Sequence, residues 1–332
     1  MTISELIKQE ARALGFDSVG ISRVATASED TVTPLPDVLH RRLLDWLRQG
    51  YHGAMAWMGR EPARRADPTE VLPGCRSVIS VGMNYFTNHQ ADERPGHGRI
   101  ARYAWGEDYH HVLKPRLDAL EGKIRSFAPG AETRSYVDTG PVMEKAWAQQ
   151  AGLGWIGKHS NLVSTQYGSW LLLGEILTTL DLEPDEPGTD LCGSCTLCIR
   201  ACPTGAITEP YVVDARLCIS YLTIELHKPG DEIPEELAPK LGNRIFGCDD
   251  CLDVCPYNVN ASSTEEIAFQ PTEATLAPPL TALSELSEAQ FGTRYRHSPI
   301  RRAKRSGFLR NVRLALRNSE PCAPLHAPGL HR

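Results

Sequence analysis

Eight of the ten cysteines in this 332-residue chain lie between residues 192 and 255, and their spacing constrains the fold more than any other feature. The first group has the spacing C-x2-C-x2-C-x3-C-P, and the second group, C-x2-C-x3-C-P, is one cysteine short at its start. In bacterial ferredoxins, three cysteines at two-residue gaps bind one 4Fe–4S cluster, while the fourth, before proline, binds the other. The pattern therefore predicts two 4Fe–4S clusters in a ferredoxin-like segment.

The two cysteine-proline steps divide the eight thiolates between the clusters by exchange. Cluster one takes Cys192, Cys195, Cys198 and Cys255. Cluster two takes Cys202, Cys218, Cys248 and Cys251. Its missing thiolate comes from Cys218, which lies between the two groups. Paired C-x2-C motifs also bind zinc, but a third closely spaced cysteine and cysteine-proline steps are not zinc-ribbon features.

The composition is typical of a soluble globular protein, with 41% hydrophobic and 23% charged residues. No apolar run approaches the roughly 18 residues that a membrane helix needs, so no membrane contact is expected. The N-terminal stretch MTISELIKQEARALGF predicts an amphipathic helix rather than a secretory signal. We therefore expect a cytoplasmic protein, where cysteines serve as metal ligands or redox groups before disulfides. The two remaining cysteines, Cys75 and Cys322, are interpreted as a buried thiol and a tail thiol.

The order of predicted elements divides the chain into four parts. Alternating helices and strands predict an α/β (α+β) domain over residues 1–185, which ends at the linker LEPDEPGTD. A ferredoxin-like domain over 186–260, a helical basic segment over 261–318 and a disordered tail over 319–332 follow. Helices are predicted over residues 108–127 and 235–246. Residues 169–182 are apolar and fit either paired strands or one buried element.

The charge of the chain is uneven. The net charge of −6 argues against nucleic-acid binding by the whole surface, yet residues 291–318 contain nine Arg and Lys residues and no Asp or Glu. A local basic surface binds phosphates even in an acidic protein. A solvated helix face is the alternative, and the sequence leaves both interpretations open.

The stretch VDTGP offers a candidate acid. Asp138 ends a predicted strand, and the turn after it leads into a helix, so its carboxyl faces a cavity at the edge of the sheet. Partial desolvation there would raise the pKa of Asp138 and let it donate a proton. The alternative is an Asp that caps the following helix. The nearby GLGWIG (152–157) matches a dinucleotide motif but follows a helix instead of a strand, so we interpret it as a tight turn.

Five stretches of the chain resemble the epoxyqueuosine reductases, cobalamin-dependent iron–sulfur enzymes that complete queuosine synthesis on tRNA. They are RYAWGEDYH (102–110), YVDTGPVMEKAWAQQAGLGWIGKH (136–159), LCGSCTLCIRACPTGAI (191–207), CISYLTIE (218–225) and GNRIFGCDDCLDVCPYN (242–258). With weaker similarity near the N-terminus, the resemblance covers about residues 1–317. The cysteine pattern and the VDTG turn occur together in the family's order, which makes the resemblance specific.

The resemblance implies a cobalamin between the ferredoxin-like domain and an N-terminal domain similar to the cobalamin-binding cores of reductive dehalogenases. It also implies that the clusters reduce the cobalamin, that cobalt attacks the epoxide carbon, and that Asp138 protonates the opening oxyanion. The implied substrate is tRNA with epoxyqueuosine at the wobble position, whose base must leave the anticodon stack. The implied electron donor is a reduced flavodoxin or ferredoxin.

The resemblance also assigns cofactor positions by match to the family. The residues that it places near the corrin are Arg65, Ala101, Asp138, Leu162, Leu173, Ser220, Asp249 and Asp250. Many relatives continue into helical repeats, whereas this chain ends shortly after FLRNVRLALRNS, so RNA contact through such repeats is not expected here.

Two other functions fit part of the pattern. A reductive dehalogenase would share the cobalamin and the clusters, but such enzymes usually carry a twin-arginine export signal that is missing here, and the VDTG turn fits the tRNA enzyme better. An electron-transfer protein with no chemistry of its own would contain the clusters but no corrin, and it would have no use for Asp138. Cobalamin content and the choice of substrate separate the three.

Overall fold

The computed structural model describes residues 1–24, 34–91, 94–228 and 230–319. The strands are β1 (Ser18–Arg23), β2 (Ser77–Asn84), β3 (Arg99–Ile100), β4 (Thr133–Tyr136), β5 (Trp155–Ile156), β6 (Leu162–Val163), β7 (Leu171–Thr178), β8 (Ile207–Glu209), β9 (Val212–Val213) and β10 (Arg244–Phe246). The helices are α1 (Ile3–Ala13), α2 (Leu35–Arg48), α3 (Pro62–Ala66), α4 (Tyr109–Phe127), α5 (Glu144–Gln150), α6 (Leu197–Ala201), α7 (Ile219–Ile224), α8 (Asp250–Asp253), α9 (Glu273–Leu276), α10 (Leu280–Ser284), α11 (Glu288–Arg294) and α12 (Lys304–Ser319). The predicted disordered tail lies, apart from residue 319, outside the described residues.

A four-stranded antiparallel sheet with the order β1-β2-β7-β4 forms the centre of the N-terminal part. Every residue of β2 is buried, because both of its edges are paired and helices cover both faces. On one face, Ile79 and Val81 pack with Ile7 of α1 and Leu117 of α4 in a single apolar core. The mixed helix-and-sheet class expected from the sequence is confirmed, and the antiparallel pairing makes the arrangement α+β.

Helix α4 brings its first turn to the end of β4. Asp108 caps the helix, because its Oδ1 accepts a hydrogen bond of 3.1 Å from the backbone amide of His110. Leu113, Leu117 and Ile124 recur at helical spacing and bury one face against the sheet. The cap and the apolar face together fix where His110 stands.

Helix α5 packs on the other face of the sheet, against β1, β2 and β7. This close approach depends on Gly20, since a Cβ at that position would lie 1.9 Å from the carbonyl oxygen of Ala151. The short helix therefore sits close to the strands, and its first turn places Glu144 and Lys145 beside the turn that follows β4.

The cysteine segment and the C-terminal helices are joined to the N-terminal part by shared contacts. Strand β10 pairs in parallel with β3, and Ile100, Phe246, Tyr295 and Phe308 belong to one apolar cluster. Apolar packing thus crosses the predicted domain boundaries, which stay predictions. Within the described ranges, no helix combines the length and apolar character needed to cross a lipid bilayer.

Candidate active site

A cavity of about 680 Å³ opens beside Asp138. Aromatic side chains, a histidine, several carboxylates and a row of basic residues line it. They include Trp57, Tyr103, Tyr109, His110, Asp138, Glu225, Arg301, Arg302, Lys304 and Arg305. The cavity therefore brings the start of α4, the end of β4 and the start of α12 together around one carboxyl group.

Asp138 is held in an unusual backbone conformation. Its φ of 56° lies in the left-handed region, which costs a non-glycine residue about 1–3 kcal/mol, although Asp tolerates it better than most residues. The backbone amide of Asp138 donates a hydrogen bond of 2.5 Å to Glu144 Oε1. Gly140 packs so tightly that a Cβ there would lie 2.3 Å from the Tyr136 ring. The turn that the sequence predicted is present, and these contacts fix it.

His110 lies between two carboxylates. Its Nδ1 is 2.7 Å from Asp108 Oδ1, and its Nε2 is 3.6 Å from Asp138 Oδ2. The second distance is that of an ion pair and is too long for a hydrogen bond. Burial disfavours the charged ring, but the two carboxylates outweigh burial and raise the pKa of His110 to about 9.

The charge of Asp138 differs from the expectation drawn from the sequence. Its interaction with His110 lowers the pKa of Asp138, and the opposing effect of burial does not reverse this. The expected rise in pKa was wrong because the sequence does not reveal that a histidine from α4 faces the turn. Asp138 is therefore a carboxylate at rest, beside a charged imidazolium.

Two further acidic residues, Glu144 and Glu175, lie near Asp138 on the side of the protein interior. Burial, followed by the charge of Asp138, raises the pKa of Glu144 to about 7. Glu175, in the middle of β7, is fully buried, and neither of its carboxylate oxygens has a hydrogen-bond partner among the residues that the structure describes. Burial raises the pKa of Glu175 well above its ordinary value, which favours the neutral acid.

Lys145 connects this acidic group to the cysteines. Its Nζ donates to the backbone oxygen of Ser160 at 3.0 Å and to Asn161 Oδ1 at 2.7 Å. Burial lowers the pKa of Lys145, whereas Glu144 and Asp138 act in the opposite direction. The thiols of Cys218 and Cys251, both predicted ligands of cluster two, also interact electrostatically with Lys145. The side chain of Lys145 is nevertheless accessible to solvent, and its charge interacts with both Asp138 and these two thiols.

The thiols assemble into two groups of four. Cys198 interacts electrostatically with Cys192, Cys195 and Cys255. Cys251 interacts in the same way with Cys248, Cys218 and Cys202. The first group lines a cavity of about 260 Å³. The structure therefore brings together the same two sets that the spacing predicted, although their role as ligands stays a prediction.

Donors around the sulfurs fit iron–sulfur clusters. Trp155 Nε1 donates to Cys192 Sγ at 3.4 Å, and the amide of Ala206 donates to Cys202 Sγ at 3.2 Å. Hydrogen bonds to cysteine sulfur are one means by which proteins tune such clusters. Two sets of four thiols with N–H donors directed at them are a suitable donor set for two 4Fe–4S clusters.

Asp138 is the one predicted corrin contact that, among the described residues, lines the 680 Å³ cavity. Asp249 is buried, accepts a 2.7 Å hydrogen bond from the amide of Arg102, and has its pKa raised to about 6 by burial. Asp250 forms an ion pair with Arg244 at 2.6 Å. These two acids therefore already have protein partners.

The other predicted corrin contacts lie in four places. Leu162 and Leu173 belong to one apolar cluster beneath α5. Ala101 is buried, and Arg65 stacks over the ring of Trp57 at 5.0 Å. Ser220 lies on α7, two residues after Cys218. The contact of these five residues with a corrin stays a prediction. Arg65 contacts Trp57, and Trp57 lines the cavity.

Among the basic residues of segment 291–318, some bind other groups of the protein, and others expose their charge at the edge of the cavity. The Arg310 guanidinium donates to the backbone oxygens of Leu222 at 2.8 Å and Asp231 at 3.1 Å. Arg302 binds Glu225 through two hydrogen bonds of 2.6 and 2.9 Å. Exposed Arg301 and Lys304, by contrast, stand at the edge of the cavity. Part of the predicted phosphate-binding surface is thus committed to holding the fold.

Comparison with known proteins decides the family. A family model described as epoxyqueuosine reductase QueG, DUF1730, matches residues 65–139, and a 4Fe-4S double cluster binding domain matches residues 191–258. The epoxyqueuosine reductase of Gloeobacter violaceus is 48% identical over 314 residues, which cover 93% of this chain and 94% of the relative. The chain belongs to the epoxyqueuosine reductase family. The resemblance inferred from the five stretches is confirmed, and the cluster-domain match disfavours zinc.

Other members of the epoxyqueuosine reductase family are also similar to this chain over most of its length. The Synechocystis sp. enzyme is 44% identical over 299 residues, 90% of this chain and the whole of the relative. A crystal structure of epoxyqueuosine reductase with an epoxyqueuosine-modified tRNA-Tyr stem loop has a TM-score of 0.86 and 31% identity, and the match covers 96% of this chain and 82% of that one. A Bacillus subtilis epoxyqueuosine reductase, with its aspartate catalytic loop swung out of the active site, has a TM-score of 0.85 and 30% identity, with coverage of 96% and 82%.

Sequence reasoning missed the partners of Asp138. His110 and Asp108 were present in the family stretch RYAWGEDYH, and Glu144 and Lys145 in the stretch that contains the VDTG turn, but none was given a role. The available signal was an Asp two residues before a His at a predicted helix start. No pattern in the sequence indicates that this helix start lies beside the end of β4 in the folded chain.

Glu144 offers a test of how the Asp138 turn is held. We expect Glu144→Ala to remove the acceptor of the Asp138 amide and to increase hydrogen exchange at that amide by about 10- to 100-fold, as for a lost hydrogen bond to a charged group. Glu144→Gln keeps an oxygen acceptor and should give a smaller increase. Equal exchange rates in the wild type and both variants would show that this bond does not hold the turn.

Proposed function

We propose that this chain reduces the epoxide of epoxyqueuosine, at the wobble position of tRNA, to the alkene of queuosine. The observation that carries the proposal is the placement of Asp138 and His110 in one cavity, with Lys145 interacting electrostatically both with Asp138 and with the thiols of Cys218 and Cys251. Reduction of an epoxide to an alkene consumes two electrons and two protons and releases the oxygen as water. The Asp138–His110 pair is proposed to supply the proton for the opened oxygen, water the second proton, and the proposed clusters would pass on electrons from an external reductant.

Two 4Fe–4S clusters and a cobalamin are the proposed cofactors. Cys192, Cys195, Cys198 and Cys255 are proposed to ligate cluster one, and Cys202, Cys218, Cys248 and Cys251 to ligate cluster two. When bound, cobalamin supplies a reduced cobalt able to attack an epoxide carbon, and the clusters supply its electrons one at a time. The proposed corrin contacts are Arg65, Ala101, Asp138, Leu162, Leu173, Ser220, Asp249 and Asp250.

Asp138 is the proposed proton donor to the opened epoxide oxygen. A carboxyl group within hydrogen-bond distance of a developing oxyanion lowers the barrier by transferring its proton as the charge forms. The side chain of Asp138 is 55% exposed to the cavity, so a substrate oxygen can reach it. The left-handed turn directs the carboxyl, and Glu144 holds that turn from behind.

The substrate and partner assignments follow from the same cavity. A related epoxyqueuosine reductase has been seen with a modified tRNA stem loop, and basic residues stand at the cavity edge here. A flavodoxin or ferredoxin is the proposed electron donor, since exposed Leu191 and Leu197 lie beside the first thiol group. Because tRNA is the substrate, we propose that the protein acts in the cytoplasm.

The cavity-edge cations provide a test of tRNA binding. We expect the double variant Arg301→Ala/Lys304→Ala to weaken binding of the epoxyqueuosine stem loop and to reduce the slope of log Kd against log salt by about 1–2, since each phosphate contact contributes ~0.7–0.9. Arg313→Ala/Arg317→Ala is the matched control, because these exposed residues of α12 are not among those that line the cavity. An equal effect of both double variants would contradict a specific role for the cavity edge.

The iron and cobalt content of the purified chain distinguishes an epoxyqueuosine reductase from an electron-transfer protein that has no chemistry of its own. The full chain, purified without oxygen in the presence of cobalamin, should contain about eight irons and about one cobalt. Eight irons without cobalt would support an electron-transfer protein instead. A loaded chain that dehalogenates chlorinated aromatics but leaves tRNA unchanged would support the dehalogenase.

A further inference from the structure

His110 is a half-buried ionisable group at the site to which the proposed reaction gives no task. Its ring is oriented from two sides, by Asp108 at Nδ1 and by the ring of Tyr109, which stacks at 4.2 Å and 28°. Its Nε2 is buried and has no hydrogen-bond partner within the described part of the chain. The charged atom that it faces is Asp138 Oδ2, at a distance of 3.6 Å.

This geometry assigns the protons of the ring. A carboxylate can only accept, so Asp108 holds a hydrogen on Nδ1. In the imidazolium the second hydrogen is on Nε2, where it points towards Asp138. His110 is therefore a cation whose transferable proton faces the proposed proton donor, while Asp108 stabilises the charge that remains.

The proposed function requires Asp138 to donate a proton that it does not carry at rest, and the proton on His110 Nε2 can supply it. Asp138 beside the imidazolium is ionised, and a carboxylate has no proton to give to the opened epoxide oxygen. A small movement of either side chain would convert 3.6 Å into a hydrogen-bond distance. The proton and its acceptor are thus already paired before substrate arrives.

We propose that His110 is a proton-relay residue that reloads Asp138 during epoxide opening, with Asp108 as the residue that orients it. The inference rests on the proposed function. One proton leaves His110 Nε2 for Asp138 Oδ2, and Asp138 passes one proton to the substrate oxygen as the C–O bond breaks. Asp138 ends as a carboxylate and His110 as a neutral imidazole that still donates Nδ1–H to Asp108. A proton from water in the cavity restores the imidazolium.

The charged surroundings set the direction of the pH dependence. The titratable and charged groups around the pair are Asp108, Tyr109, Glu144 and Lys145, and the cavity-lining Tyr103, Glu225, His227, Lys228, Glu288, Arg301, Arg302, Lys304 and Arg305. The two charged groups that interact directly with the His110 ring, Asp108 and Asp138, are both carboxylates, in agreement with the raised pKa of His110 of about 9. A raised pKa means that the relay is loaded below about pH 9 and empties as the pH rises through that value.

The first test needs no cofactor and no turnover. Imidazole resonances of the full chain, labelled with nitrogen-15, are titrated by NMR, and His110 is assigned by comparison with His110→Gln. We expect a pKa near 9 in the wild type and a value closer to the ordinary ~6.5 in Asp108→Asn and in Asp138→Asn. An ordinary pKa in the wild type, unchanged in both variants, would overturn the inference.

The second test follows turnover against pH with the loaded enzyme and the epoxyqueuosine stem loop. His110→Gln should lower kcat by about 10- to 100-fold with little change in KM, and it should abolish the fall in rate above about pH 9. His111→Gln, an exposed histidine at the next position of α4, should behave as the wild type. A His110→Gln enzyme that keeps the alkaline fall, or full activity, would overturn the relay.

These outcomes differ from failure of the proposed function. If the chain is not an epoxyqueuosine reductase, the wild type itself converts no substrate. If only the relay is wrong, the wild type converts substrate and His110→Gln does so with the same pH dependence. Normal kcat in His110→Gln together with an ordinary His110 pKa would leave Asp138 to draw its proton from water.

Discussion

Asp138→Asn is expected to leave the chain folded and to reduce epoxide reduction by about 10²- to 10⁴-fold, the usual contribution of a positioned general acid. Asparagine matches aspartate in size and tolerates the left-handed conformation of φ 56°, so the turn should persist. It cannot transfer the proton that the opened oxygen requires. Single-turnover conversion of the modified stem loop, followed by nucleoside mass spectrometry, measures the effect.

Two controls isolate the role of Asp138 in this experiment. Iron and cobalt contents should match those of the wild type, and the thermal unfolding midpoint should fall only slightly, since the substitution removes one half-exposed ion pair with His110. Asp118→Asn, which alters an exposed carboxylate on α4, should retain full turnover. Near-normal conversion by Asp138→Asn would exclude Asp138 as the proton donor.

Cys218→Ala is expected to abolish conversion and to lower the iron content from about eight atoms towards four. Cys218 stands apart from both spaced groups in the sequence, yet it lies among the thiols of Cys202 and Cys251. Removing it leaves cluster two with three thiolates. The proposed electron path from cluster one through cluster two would then be interrupted.

Cys75→Ala is the matched control for the loss of a buried thiol. Cys75 lies in a separate apolar cluster with Val71 and Val78, and its Sγ donates to the backbone oxygen of Ser77 at 3.5 Å. Its removal should cost some stability and no iron. Full iron content in Cys218→Ala, or loss of iron in Cys75→Ala, would contradict the division of the thiols.

Some elements were predictable because their signals are local. The helix predicted over residues 108–127 is observed as Tyr109–Phe127, since its apolar period and its Asp cap both lie within the segment. The helix predicted over residues 235–246 was wrong. That segment contains a 3₁₀ turn, Ala238–Leu241, and the strand β10, which pairs with β3 far away in the sequence. Partners of that kind override local preference.

The apolar stretch 169–182 shows a second limit of pattern reading. It forms one strand, β7, between β2 and β4, and the surrounding layers bury most of its residues. A strand buried on both faces lacks the alternation that separates strands from helices. Only the finished sheet decides between the two interpretations that the sequence left open.

The candidate site was predictable in part for the same reason. Cysteine spacing predicts which thiols meet, because the C-x2-C spacings and the cysteine-proline steps are typical of two-cluster ferredoxins, and the VDTG turn placed Asp138 at a strand end. The direction of its pKa shift required His110 from another element, and that contact leaves no pattern in the sequence. The resemblance gave a role to Asp138, whereas the proposed role of His110 came from the structure.

The most direct test of the central claim is conversion of epoxyqueuosine-containing tRNA by the chain loaded with iron, sulfide and cobalamin under a strong reductant, without oxygen. The account predicts that the modified nucleoside loses one oxygen atom to become queuosine, and that omission of cobalamin or of the reductant prevents this. A chain that carries about eight irons and one cobalt but leaves the nucleoside unchanged would contradict it.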